Sequence, residues 1–401
     1  MQSFDIPDWC SAYKNLLTAR LFGDETLILP VAGKRTDGAP DYSRLFARDL
    51  LLSCFAFEDA GVLWCQDFLQ TLLPDTLRYL AAHQGRKPDP FTNEEPGKIL
   101  HELEGIPLRR HNTLFSACDT TILFLLGCAR YAHGPIFRDA VWQYLVPRML
   151  DALVYVRAHI ENGIFWERPD YAKEARDFAL WAPYWRDYGL PGRRGRKLAY
   201  PATFLLVQAQ LCAALRALIV LTREKIFPEE LEHLEGELAL ASKAFLKYFG
   251  ESAAPPVAID QKGPIHFTCT DAAHALYYLE PGDVSYPYLC GAKDALLELQ
   301  TPWGWLTWKC PPKFPASRWE PPRIWPWEHV FIAEGLAKHG LSVEPDLPFR
   351  PARFLSQTHA PLAEFIEVKR KKPSCAGCHI QQWTCAYWAW IEKNAAKIKE
   401  P

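Results

Sequence analysis

Residues 204–221 read FLLVQAQLCAALRALIVL, and this stretch decides the fold. Its apolar side chains fall on every side of a helix, so the helix must be buried on every side. The wider stretch 202–222 is long enough to cross a bilayer, but Gln208, Gln210 and Arg216 run through its centre and are costly in lipid. It is therefore read as a buried helix, with no membrane partner expected. A few residues later the pattern changes. Pro228-Glu229-Glu230 makes a good helix start, and Leu231, Leu234, Leu238, Ala241 and Phe245 then recur at helical spacing between charged residues. Residues 45–57 and 120–132 repeat the first kind of helix, apolar nearly all round. Buried helices alternating with half-exposed ones suit two concentric layers, as in an α/α barrel. About a dozen helices with their loops would use this length.

Alternating strand patterns are scarce, and no sequence repeat or clean boundary stands out. The chain is expected to be one all-α domain over 1–401, with 1–35 as an N-terminal lead-in. Long loops rich in Pro, Gly, Trp and charge are expected at 83–98, 160–200, 250–270 and 301–328. In a barrel such loops gather at one end and build the pocket.

Hydrophobic residues make up 49% of the 401, enough for a large core. With 45 Lys+Arg against 47 Asp+Glu, no global basic field exists to hold nucleic acid. The 15 Trp are read first as anchors of a large core, and the sharper reading, compatible with it, is that several of them stack on sugar faces. The N-terminus shows no basic region followed by an apolar run, so a cytoplasmic location is expected. The 12 Cys, without regular spacing, then read as reduced core residues.

Carboxylates beside aromatic rings stand out in two places. Trp181-Ala182-Pro183-Tyr184-Trp185-Arg186-Asp187-Tyr188-Gly189 embeds Asp187 among rings. Burial there would raise its pKa and leave a neutral carboxyl able to protonate a leaving oxygen. Pairing with Arg186 or Arg193 is the structural alternative, and Asp177 is a second candidate acid. Leu362-Ala363-Glu364-Phe365-Ile366-Glu367 places Glu364 where it could activate water; the alternative is a surface Glu near the Lys369–Lys372 charge run. Sugar-bond hydrolysis needs two such carboxyl groups from different parts of the chain.

Two further acids head apolar helices. Arg48-Asp49 opens 45–57, and Asp119 precedes Thr120-Thr121 at the head of 120–132. Buried charges are expensive unless paired or functional, so these could bind sugar hydroxyls. An ion pair at Arg48-Asp49 and an N-cap at Asp119 are the structural alternatives. The stretch 303–327, ending Trp325-Pro326-Trp327-Glu328, could supply stacking platforms. Cys375-Ala376-Gly377-Cys378-His379 matches a haem-attachment pattern, which is rejected for want of an export signal. Zinc on Cys375, Cys378, His379 and Cys385 is the better alternative, though one Cys-x-x-Cys without a second pair is weak, and no metal or cofactor is expected.

The ordered set resembles the amylo-α-1,6-glucosidase family, the glucosidase half of glycogen-debranching enzymes, and related six-hairpin glycosidases. The resemblance spans roughly residues 40–392. It rests on Arg48-Asp49, on Gly97-Lys98-Ile99-Leu100-His101-Glu102, on Asp119-Thr120-Thr121, and on Trp185-Arg186-Asp187 followed by Tyr200-Pro201-Ala202. Trp325-Pro326-Trp327 and Glu364 with Gln382-Trp383-Thr384 complete it. It implies an (α/α)6 barrel, a six-hairpin toroid, that hydrolyses an α-glucosidic or similar bond with inversion. Asp187 would be the general acid and Glu364 the general base. Arg48, Asp49 and Asp119 would line the terminal-sugar subsite, with His101, Glu102, Trp185, Trp325, Trp327, Glu328, Gln382 and Trp383 as further substrate-binding residues. The departures are Phe46-Ala47 before Arg48-Asp49, where the family has Trp-Gly, and Phe-Ile-Glu-Val after Glu364. Neither a glucanotransferase half nor a leading β-sandwich is expected within these residues. They favour a small glucoside or oligosaccharide over glycogen. Two other readings stand beside this one. An epimerase or lyase would need His101, His266, His274 and His379 to converge, and a carbohydrate-binding scaffold would have a decayed site.

Overall fold

The computed structural model describes residues 5–34, 44–108, 111–168, 198–224, 228–309, 323–369 and 372–394. Twelve α-helices run through them: α1 Trp9–Lys14, α2 Ala47–Asp59, α3 Leu72–Ala82, α4 Thr120–Ala132, α5 Asp139–His159, α6 Leu205–Arg223, α7 Leu231–Phe245, α8 Asp271–Ala275, α9 Tyr286–Leu299, α10 Pro326–Lys338, α11 Arg350–Leu355 and α12 Gln382–Asn394. The all-round apolar stretches became α2, α4 and α6, shifted by at most two residues from the expected bounds. The described strands are two to seven residues long, and their ladders are antiparallel. Several sit in the expected loops. Ile160–Glu161 pairs with Ile164–Phe165, and Ala258–Asp260 lies between Gly263–Ile265 and Thr203–Phe204. Pairs this short carry too little period-two alternation to be seen in a sequence.

By contact density the chain divides into two compact units, each assembled from separate stretches. The first comprises Met1–Thr76, Thr268–Thr270 and Lys293–Pro401; the second comprises Leu77–Phe267 and Asp271–Ala292.

In the second unit α6 is the central element, packed against α4, α7 and α8, and α4 packs in turn against α5. Over α6 mean hydropathy reaches 1.8, yet 78% of that window is buried inside the protein. Its polar residues find protein partners. Gln208 Nε2 donates to the Gly163 carbonyl at 2.7 Å, and its Oε1 accepts the Phe165 N–H at 3.0 Å, so the 160–165 hairpin is fastened to the helix. Arg216 donates to Asp283 at 2.8 Å. α7 follows a short 3-10 turn at Pro228–Glu230 and buries Leu234, Ala241, Ala244 and Phe245.

In the first unit α12 is central, packed against α2, α1 and α10. The N-terminal stretch, expected as a lead-in, contributes to this core. Tyr13 meets Phe57 edge-on at 5.0 Å, and the Trp9 indole donates to Glu392 at 2.8 Å. The strand Gly33–Lys34 pairs with Ile380–Gln381, and the approach is close. A Cβ on Gly33 would lie 2.7 Å from Cys378 Sγ, so only glycine fits there.

Candidate active site

In the first unit, Glu364 opens the strand pair Phe365–Lys369 and Lys372–Ala376. The side chain turns inward and is only 8% exposed, not the surface residue that the neighbouring lysines suggested. Its main-chain N–H donates to the Cys378 carbonyl at 2.9 Å, and the Cys378 N–H donates to its carboxylate Oε2 at 2.9 Å. The carboxylate lies over Gly377, whose φ is +78° and whose Cβ, if present, would sit 2.2 Å from Oε2. A backbone N–H aimed at a carboxylate fixes the oxygen and favours its charged form. The Thr384 hydroxyl fastens the segment from the far side by donating to the Ala363 carbonyl at 3.0 Å.

The same unit gathers a cluster of aromatic rings. Trp327 and Trp383 stack at 5.2 Å, Trp325 meets Trp383 edge-on at 5.2 Å, and Trp325 lies 5.0 Å from Phe365, the residue after Glu364. Trp383 and Gln382 open α12, and Gln382 is fully buried. Among the described residues, neither polar atom of the Gln382 amide has a protein partner, nor does the Trp383 indole N–H. Such groups are costly to bury unless water or a ligand completes them. Arg48 and Asp49 occupy the first turn of α2 and are buried, on a helix packed against α12. Glu328 is buried one residue beyond Trp327, where it accepts the Thr270 hydroxyl. His329 follows; burial pulls its pKa down to about 4 against the opposing Trp325 carbonyl, so the ring is neutral.

The second unit brings together two motifs that sequence order separates. The hydroxyls of Thr120 and Thr121 hold Ile99 from both sides. Thr121 accepts its N–H at 2.9 Å and Thr120 donates to its carbonyl at 3.0 Å. Asp119 is buried at the N-cap position of α4, and its side chain makes no capping hydrogen bond, so N-capping is not its role. His101 is buried, with Nδ1 at 3.2 Å from the Ser116 hydroxyl, and Glu102 is buried in the strand that follows. Gly97 turns the chain into this segment at φ +83°, with its Cβ position 2.1 Å from the Asp151 carbonyl.

Sequence reasoning missed the charges behind this segment. Lys98 is fully buried, with Nζ 3.3 Å from Glu95 and 3.5 Å from Glu167. Glu95 accepts His159 Nε2 at 2.9 Å. The signal was present as a lone lysine ahead of the apolar pair Ile99-Leu100, but its partner Glu167 lies 69 residues away.

Asp187, Trp185 and Asp177 lie outside the described residues. Among the described residues no group of three or more His, Cys, Asp or Glu gathers to hold a metal, so Cys375, Cys378, His379 and Cys385 form no such set. Burial also pushes the Cys375 and Cys385 thiols up, away from the thiolate a metal needs. His274 stacks on Tyr278 at 5.8 Å, whereas His101 meets the Ser116 hydroxyl.

No protein-family model matches the sequence, and no curated protein does. Solved structures do. A GH63 mannosylglycerate hydrolase from Thermus thermophilus, in complex with Tris and D-glycerate, superposes with a TM-score of 0.64 at 12% identity, covering 96% of this chain and 98% of that one. The same enzyme in complex with glucose gives 0.62 at 12% identity, covering 96% and 99%. A GH78 family rhamnosidase of Bacillus sp. GL1 gives 0.53 at 14% identity, covering 88% of this chain and 32% of that one. The fold is one shared with glycoside hydrolases. At these identities the likeness speaks for architecture.

Proposed function

We propose that this chain is a glycoside hydrolase that cleaves a terminal α-glucosidic or similar bond of a small glycoside. The observation that supports it best is the Glu364 carboxylate, buried and held by the Cys378 N–H, one residue before Phe365, whose ring meets Trp325 of the Trp325, Trp383 and Trp327 cluster. A buried carboxylate fixed by a backbone N–H suits a general base that orients water. In this reading Asp187 is the general acid, the reaction inverts, and Gln382 and Trp383 complete their unpaired polar atoms on sugar hydroxyls. Arg48, Asp49, His101, Glu102, Asp119 and Glu328 supply further contacts. The chain closes as one (α/α)6 domain and works in the cytoplasm without a cofactor.

Two features favour a small substrate over a branched polysaccharide. The chain matches the mannosylglycerate hydrolase over nearly the full length of both, and it departs from the debranching pattern around Glu364. The test is release of free sugar from a panel of α-glucosides, α-mannosides and α-rhamnosides, glycerate conjugates included. Cleavage of at least one, lost in Glu364→Gln, supports the reading. A panel with no cleavage, but with sugar binding, would leave a binding scaffold.

A further inference from the structure

Next to the His101–Glu102 segment, the second unit holds four ionisable groups in contact with one another, three of them buried and the fourth, Glu95, half-buried. Lys98 Nζ reaches Glu95 Oε1 at 3.3 Å and Glu167 Oε1 at 3.5 Å. His159 Nε2 donates to Glu95 Oε2 at 2.9 Å, and its Nδ1 lies 2.9 Å from the Trp166 carbonyl. Asn93 Nδ2 donates to Glu167 Oε1 at 3.5 Å. The other faces of the imidazole are aromatic, with Tyr155 at 4.5 Å and Phe165 at 5.6 Å. Lys98 and Glu167 are essentially unexposed and His159 is 5% exposed, whereas the Glu95 side chain is 31% exposed and opens the cluster to solvent on one side.

Charge decides how such a cluster behaves. With His159 protonated, two cations face two carboxylates and the group is neutral. With His159 neutral, the two carboxylates share the single Lys98 cation, and one negative charge is left uncompensated at a partly buried site, which costs stability. Both ring nitrogens face acceptors, and both can donate only in the imidazolium. The pKa directions agree with the geometry. Burial alone would lower that of His159, but the Glu95 hydrogen bond and the charges of Glu167 and Glu95 outweigh it and raise it. Burial would raise Glu95, and the His159 hydrogen bond and Lys98 charge bring it below its usual value.

The cluster ties three stretches of chain. Lys98 precedes His101 by three residues, and its carbonyl accepts the Gly85 N–H at 2.8 Å. His159 ends α5. Glu167 exchanges main-chain hydrogen bonds with Ala202 at 2.8 and 3.1 Å. We propose that Glu95, Lys98, His159 and Glu167 form a proton-operated anchor for residues 97–102, in which loss of the His159 proton loosens the segment presenting His101 and Glu102. These are positioning residues, and their link to sugar binding rests on the function proposed above.

Three measurements test it, the first two without any sugar. Imidazole NMR, with His159 assigned from the His159→Gln spectrum, should show His159 titrating above the ordinary histidine range and moving down in Glu95→Gln. Amide hydrogen exchange of residues 98–102, corrected for intrinsic base catalysis, should speed up by roughly fivefold or more through that same titration, the scale of coupling within one charge network. It should not do so in His159→Gln. An ordinary His159 pKa, or exchange indifferent to its titration, overturns the anchor. Affinity for D-glucose or D-mannose by calorimetry should weaken through the same pH range in the wild type and lack that step in His159→Gln. If sugar binds and the step persists in the variant, the positioning role falls. If no sugar binds and no glycoside is cleaved, the proposed function falls, and the first two measurements still decide the anchor.

Discussion

Gly377→Ala is the substitution on which the Glu364 assignment turns. Gly377 sits at φ +78°, and its absent Cβ would lie 2.2 Å from Glu364 Oε2 and 2.8 Å from its Cδ. A non-glycine residue at that φ costs about 1–2 kcal/mol. The new methyl also expels the carboxylate, which loses the 2.9 Å hydrogen bond from Cys378; a bond to a charged group contributes about 1.5–3 kcal/mol. The total is roughly 2.5–5 kcal/mol. At about 2.1 cal/mol/K per residue, 401 residues give an unfolding entropy near 0.8 kcal/mol/K, so Tm falls by only about 3–6 °C. The protein therefore folds at about 25 °C with its base displaced, and kcat/KM on a cleaved glycoside drops at least about 10²-fold. Gly340→Ala is the control. Gly340 has φ +64°, and nothing lies within 4 Å of its Cβ position. That variant should show the strain in Tm and keep its activity. Equal activity in the two variants would refute the placement of Glu364 as base.

Asp187→Asn should lose about 10²–10⁴-fold in rate while retaining fold and sugar binding; if near wild-type turnover survives, the acid role moves first to Asp177. Inverting enzymes hold their carboxyls roughly 6.5–9.5 Å apart, so the first product should have inverted anomeric configuration, read by proton NMR before mutarotation; retention excludes Glu364 as a base. His329 has a folded pKa of about 4, below the 6.5 of a free imidazole. Its contribution to stability is therefore intact above about pH 6.5 and lost as pH falls toward about 4, a loss of about 3 kcal/mol. Urea unfolding of the wild type and His329→Gln between about pH 7 and 4 checks this: the variant should show a shallower fall, and equal slopes would contradict it.

Legibility followed the range of the interaction. The helices 120–132 and 204–221 were readable because an all-round apolar surface is a local property that only burial satisfies. The start of α7 was readable for the same reason, from Pro228-Glu229-Glu230 and the spacing of its leucines. Glu364 was legible as a carboxylate beside an aromatic residue. Its burial was not, because the nearby lysines suggested solvent, and its hydrogen-bond partner comes from Cys378 across a left-handed glycine. The N-terminal stretch looked like a lead-in because nothing in 5–34 announces that Gly33 must meet Cys378.

The sequence by itself determined that this is a helical protein with a large core, and it named the polar residues that interrupt apolar helices. Those follow from periodicity and from the cost of burying charge, which act within a few residues. Only the tertiary structure decided which of them meet. It set Trp325, Trp327 and Trp383 against one another, fastened Ile99 between Thr120 and Thr121, and gave Lys98 its partner 69 residues away. Contacts of that kind depend on where distant segments are brought by packing, and a buried charge specifies only that a partner must exist.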